Sequence, residues 1–90
     1  MLHDVVFVKS SAPYRLFLRF DDGTEGTVEV DREIEFTGVF APLEDPAVFA
    51  QVRVDPELGT VVWPSGADLD PVVLYARVTG RPIVLAPSAA

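Results

Sequence analysis

Apolar and polar positions alternate through the first third of the chain. Tyr14, Leu16, Leu18 and Phe20 fall on one side of an extended segment, with Arg15, Phe17 and Arg19 on the other. A period of two predicts a half-buried β-strand over 14–20. The pattern returns over 24–30, where Gly26, Val28 and Val30 share one side and Glu25 and Glu29 the other. Asp21-Asp22-Gly23 joins the two segments. Leu16 and Leu18 must lie on the same side as Val28 and Val30, or one strand would expose its apolar set. That demands an odd-length loop. A three-residue loop with Gly23 in a left-handed conformation meets it, as a type I turn with a G1 bulge. Leu16 then opposes Val28 and Tyr14 opposes Val30. Arg15 and Arg19 come near Glu25 and Glu29, in cross-strand pairs worth less than about 1 kcal/mol each. Upstream, Val5-Val6-Phe7-Val8 is apolar throughout. It predicts a strand buried on both faces, ended by Ser10-Ser11-Ala12-Pro13.

Beyond residue 30 the period is lost. Ile34, Phe36, Val39 and Phe40 are isolated apolar anchors between Thr37-Gly38 and Pro42, which predicts an irregular segment laid over the core edge. Asp45-Pro46 starts a short helix, Asp45 as cap and Pro46 in the first turn. Leu43, Phe49 and Ala50 are expected on its inner side. Val52-Arg53-Val54 and Thr60-Val61-Val62-Trp63 form a second hairpin around 55–59. Asp70-Pro71 repeats the helix start, and Leu74, Tyr75 and Val78 form its apolar stripe. Gly80 is the stop. The order β-β-β-loop-α-β-β-α is that of an α+β fold on a small antiparallel sheet. Residues 1–80 read as one domain and 81–90 as a C-terminal tail. The tail carries Ile83-Val84-Leu85 between prolines. It is expected to pack on its own domain or to extend the sheet edge of a neighbour, giving a homodimer.

Composition narrows the function classes. Ninety residues, 49% of them apolar, suffice for one core. The chain has no cysteine, so disulfides, thiolate zinc sites and thiol nucleophiles are excluded. Met1-Leu2-His3-Asp4 lacks the basic and apolar regions of a signal peptide, and no apolar run approaches the roughly 20 residues of a membrane span. A cytoplasmic location is expected. Fourteen acidic residues face seven basic ones, a net charge of −7. Binding to nucleic acid or an anionic membrane needs a basic patch, and none is visible. An acidic surface favours solubility. A protein steered by it would be basic.

Candidate chemistry is sparse. His3 is the sole histidine and reads as a solvated terminal residue. Ser65 lacks the glycine-flanked elbow and the nearby histidine that serine catalysis requires. Asp68 and Asp70 are the weak candidates for a metal, since Mg²⁺ and Ca²⁺ take oxygen ligands. Asp70 is already expected to cap a helix. Trp63 and Tyr75 are expected to pack on each other in the core, with a partly exposed recognition surface as the alternative. Glu25 and Glu29 lie in the acidic stretch 21–35, which is either a solvated sheet face or a docking surface. No nucleophile–base pair is present, so the chain is expected not to be an enzyme and to bind no cofactor. The interaction candidates are Trp63, Asp68, Glu25, Glu29, Ile83 and Leu85.

Four pieces of the sequence carry a resemblance. They are Leu18-Arg19-Phe20-Asp21-Asp22-Gly23-Thr24, Gly38-Val39-Phe40-Ala41-Pro42-Leu43, Asp45-Pro46-Ala47-Val48-Phe49, and Val62-Trp63-Pro64-Ser65-Gly66-Ala67-Asp68-Leu69-Asp70-Pro71 with Leu74-Tyr75 closing the run. Together the chain resembles domain of unknown function 2442, a family of small bacterial domains, over about residues 3–76. The resemblance implies a small α+β fold, like the N-terminal domain of a two-domain protein that carries a helix-turn-helix after it. This chain is expected to end before any such domain, so DNA binding is not carried over. The resemblance also implies an accessory or antitoxin-like role beside a small partner protein. It supplies no catalytic residues.

Overall fold

The alternation over 14–30 folds as the expected hairpin. In a computed structural model describing residues 3–80, β1 (Val5–Ser11), β2 (Arg15–Phe20) and β3 (Glu25–Glu29) form an antiparallel sheet in the order β1-β2-β3. Leu16 pairs with Val28, and Arg15 and Arg19 face Glu29 and Glu25. The Gly23 N–H donates to the Phe20 carbonyl and the Phe20 N–H to that of Thr24, with Gly23 at φ 87°. These two bonds and the positive φ are those of a type I turn closed by a G1 bulge. Leu16, Leu18, Phe20, Val28 and Val30 are buried on the inner face.

The first strand corrects the sequence expectation. Of Val5-Val6-Phe7-Val8 only Val5 is buried; Val6 is 53% and Phe7 42% exposed. Two features explain this. β1 lies at the sheet's edge. It also carries a bulge at Val6, since Val5 pairs with Phe20 but Phe7 with Arg19. The extra residue turns Phe7 to the outer face, where it meets the Phe17 ring edge-on and lies beneath the Arg19 guanidinium. An apolar run therefore serves two faces without both being buried.

Short 3-10 turns at Val30–Arg32 and Gly38–Glu44 carry the chain over one end of the core. Ile34, Phe36 and Phe40 pack against it, whereas Val39 is 50% exposed. α1 (Pro46–Phe49) is one turn long, and the Asp45 carboxylate accepts the Ala47 N–H as its cap. Leu43 and Phe49 are buried. Ala50, expected on the inner side, is exposed because so short a helix has already ended there. β4 (Arg53–Asp55) and β5 (Thr60–Val62) make the second hairpin. α2 (Pro71–Thr79) ends at Gly80, at φ 72°. It crosses β3 at Gly26, where a Cβ would lie 2.9 Å from Val78 Cγ1. Gly26 thus sets how closely the helix approaches the sheet. No helix among the described residues is long and apolar enough to cross a membrane.

Candidate functional site

The segment from Trp63 to Tyr75 is built around a second turn of the same kind as Asp21-Asp22-Gly23. The Gly66 N–H donates to the Trp63 carbonyl and the Trp63 N–H to that of Ala67, with Gly66 at φ 93°. This turn sends the chain back along β5. Asp68 pairs with Val62 through its backbone, and the buried Thr60 hydroxyl donates to the Leu69 carbonyl. The Asp70 carboxylate accepts the Val72 N–H at 2.8 Å and starts α2. Trp63 is 2% exposed. Its indole N–H donates to the Phe49 carbonyl at 2.9 Å and its ring packs against that of Phe49.

α2 places Tyr75 over the first hairpin. Its ring meets Phe20 edge-on, and its hydroxyl donates to Asp22 Oδ2 at 2.6 Å. Asp22 also accepts the Thr24 N–H. The Tyr75 hydroxyl, then the Thr24 amide, lower the Asp22 carboxyl to about 2 by stabilising its charged form. His3 stacks on the Tyr75 ring, ring centroids 4.3 Å apart. Its Nδ1 lies 3.5 Å from Asp21 Oδ1 and 3.7 Å from Asp22 Oδ2. Ligand atoms of these three residues fall within 4.8 Å of one another. One imidazole nitrogen and two carboxylates form a donor set suited to a divalent first-row ion.

A cavity of about 190 Å³ opens on the other flank of α2. Ile34, Phe40, Leu69, Val73 and Leu74 line it together with Glu33, Asp68 and Asp70. Glu33 is held by Arg77 at 2.8 Å and Asp70 by the helix N-terminus. Asp68 is exposed, and its carboxylate has no hydrogen-bond or ion-pair partner among the described residues. A larger cavity, about 510 Å³, lies between Ser10–Tyr14 and α1. No charged side chain lines it.

A family model described as a protein of unknown function, DUF2442, matches residues 5–80. The chain belongs to the DUF2442 family. Neither the curated proteins nor the solved structures gave a match. The DUF2442 match contains every residue of the Asp68 cavity but not His3.

The residues singled out from the sequence have separate fates within this DUF2442 fold. Trp63 is buried, so it has no exposed edge for recognition, and its partner is Phe49 rather than Tyr75. Asp70 is a helix cap. Asp68 and Asp70 line one cavity, but the three-ligand cluster among the described residues is His3, Asp21 and Asp22. Glu25 pairs with Arg19 at 3.2 Å; Glu29 reaches Arg15 at 3.9 Å and Arg32 at 3.5 Å. Ile83 and Leu85 lie outside the described residues. His3 is not the solvated terminal residue expected. Its backbone precedes β1, which runs antiparallel to β2 and so returns it to the Asp21-Asp22 turn. That is a contact between distant segments, which the sequence pattern does not mark.

Proposed function

We propose that this chain is a non-enzymatic protein–protein interaction module of the cytoplasm. Its partner is a small basic protein, and its role is accessory or antitoxin-like. The supporting observation is the way charge is used. Arg15, Arg19, Arg32 and Arg77 are drawn into pairs with Glu29, Glu25 and Glu33. Asp31, Glu35 and Asp68 have no ion pair among the described residues. The surplus behind the net charge of −7 is therefore carried by carboxylates facing water. Such a field raises the encounter rate with a cationic protein and weakens with salt. Co-expression with the product of the adjacent gene, followed by size-exclusion chromatography, tests the reading. A single co-eluting peak that separates at high salt is expected. Two separate peaks at low salt refute it.

A second reading, divalent-cation binding, is favoured by the His3-Asp21-Asp22 cluster rather than by the Trp63–Asp70 loop. A thermal-shift scan with Zn²⁺, Mn²⁺, Mg²⁺ and Ca²⁺ tests it. An ion at 100 times its Kd would stabilise the fold by about 2.7 kcal/mol. The shift should vanish in Asp21→Asn; no shift with any ion rejects this reading.

A further inference from the structure

We infer that the cavity beside Asp68 seats the partner, and that its occupant is a basic segment carrying one apolar anchor side chain. The inference rests on the basic-partner reading above and adds the place and chemistry of contact.

Three features of the cavity select that occupant. Its walls, formed by Ile34, Phe40, Leu69 and Val73, are apolar. Such walls offer water no hydrogen bonds, so an apolar side chain that covers them gains affinity. The charged side chains that line the cavity are all negative: Glu33, Asp68 and Asp70. Two of these are already engaged, by Arg77 and by the Val72 amide. Asp68 alone keeps its full acceptor capacity, so an incoming cation meets it first. A lysine or arginine can lay its methylene stem along Val73 and bring its charge to Asp68. Val39, next in sequence to Phe40, is 50% exposed. An anchor with a basic residue one helical turn away satisfies all three features. The larger cavity near Ser10–Tyr14 has the apolar walls without the charge, and so nothing there selects an occupant.

The probe is a short, acetylated and amidated amphipathic peptide of leucine and lysine. Its controls carry glutamate for lysine, or alanine for leucine. Amide NMR spectra at low salt should show the leucine–lysine peptide shifting Phe40, Asp68 and Val73, and both controls leaving them in place. Asp68→Asn should weaken binding about two- to fivefold, the range of one partly exposed charge. Val73→Lys should abolish it by filling and recharging the cavity, and thermal melts check that both variants stay folded. Equal binding of the glutamate peptide, or no binding of the leucine–lysine peptide, overturns the inference. So does a footprint centred away from the cavity, yet that result leaves the basic-partner reading intact. Co-elution with the product of the adjacent gene decides that reading separately: a complex unaffected by both variants removes the cavity while keeping the partner.

Discussion

Replacing Gly26 with alanine tests how α2 is docked. The position sits in β3 opposite Leu18, without a positive φ, so the backbone accepts alanine. The difficulty is across the layer. The new Cβ would lie 2.9 Å from Val78 Cγ1 and 3.7 Å from its Cβ. Ordinary carbon contacts are about 3.5–4.0 Å, so one side must yield by about half an ångström. Val78 is β-branched and helical, with one strongly preferred χ1, so the side chain cannot swing clear. The helix must move or the overlap must remain. Overpacking of this kind costs about 1–3 kcal/mol. Alanine's smaller unfolded-state entropy returns about 0.4–1 kcal/mol. The net expectation is a loss of about 1–2 kcal/mol, at about 4–8 °C in Tm per kcal/mol. Urea unfolding followed by the fluorescence of buried Trp63 measures it, with the m value unchanged. Val78→Ala alone should cost about 1 kcal/mol in buried methyl groups. In the double variant the two losses should not add, because alanine at 78 makes the room that alanine at 26 needs. A coupling of about 1 kcal/mol is expected. A Gly26→Ala protein as stable as its parent, or strictly additive losses, would show that α2 does not rest on β3 in this way.

Three further outcomes are expected. Trp63→Phe removes the indole donor and leaves the Phe49 carbonyl only its longer bond from the Val52 N–H at 3.3 Å, a loss of about 0.5–1.5 kcal/mol by thermal or urea unfolding. Asp70→Ala removes the α2 cap and costs about 1 kcal/mol, whereas Ser65→Ala, exposed in its turn, changes stability by less than about 0.5 kcal/mol. The Asp22 carboxyl is lowered from 3.8 to about 2 on folding, so its stabilisation is present above 3.8 and lost as pH falls from there through 2. The stability gap between the parent and Asp22→Asn, measured by urea titration at several pH values, should narrow across that window; a gap independent of pH contradicts the Tyr75–Asp22 bond.

Where the sequence was legible, the determinant was local. The register of the first hairpin follows from alternation and one glycine, because shifting it by one residue exposes Leu16 and Leu18. Asp45-Pro46 and Asp70-Pro71 mark helix starts, since cap and proline act within a single turn. What stayed hidden depends on contacts between distant segments. The burial of Trp63 is decided by Phe49, and that of Val6 and Phe7 by β1 being an edge strand with a bulge. The pairing of His3 with Asp21 and Asp22 needs β1 to run back along β2. Asp68 was singled out because no structural duty could be found for it. The structure gives its backbone a pairing with Val62 and leaves its carboxylate to solvent. Ile34 and Phe40 were legible as anchors, but not the cavity they share with Leu69 and Val73.

The residues that carry the family resemblance are largely occupied in joining segments. Tyr75 bonds Asp22 across a separation of 53 residues, and Trp63 bonds the Phe49 carbonyl across 14. Gly23 and Gly66 close equivalent turns, while Asp45 and Asp70 cap the two helices. The buried Trp63 indole, committed to such a bond, cannot also present itself to a partner. Membership in the family therefore specifies the frame more closely than the ligand. On the reading proposed above, recognition falls to side chains that the frame positions without using, Val39, Val73 and the carboxylate of Asp68. That reading places the informative substitutions at Asp68 and Val73, where binding can change while the turns, caps and long-range bonds stay in place.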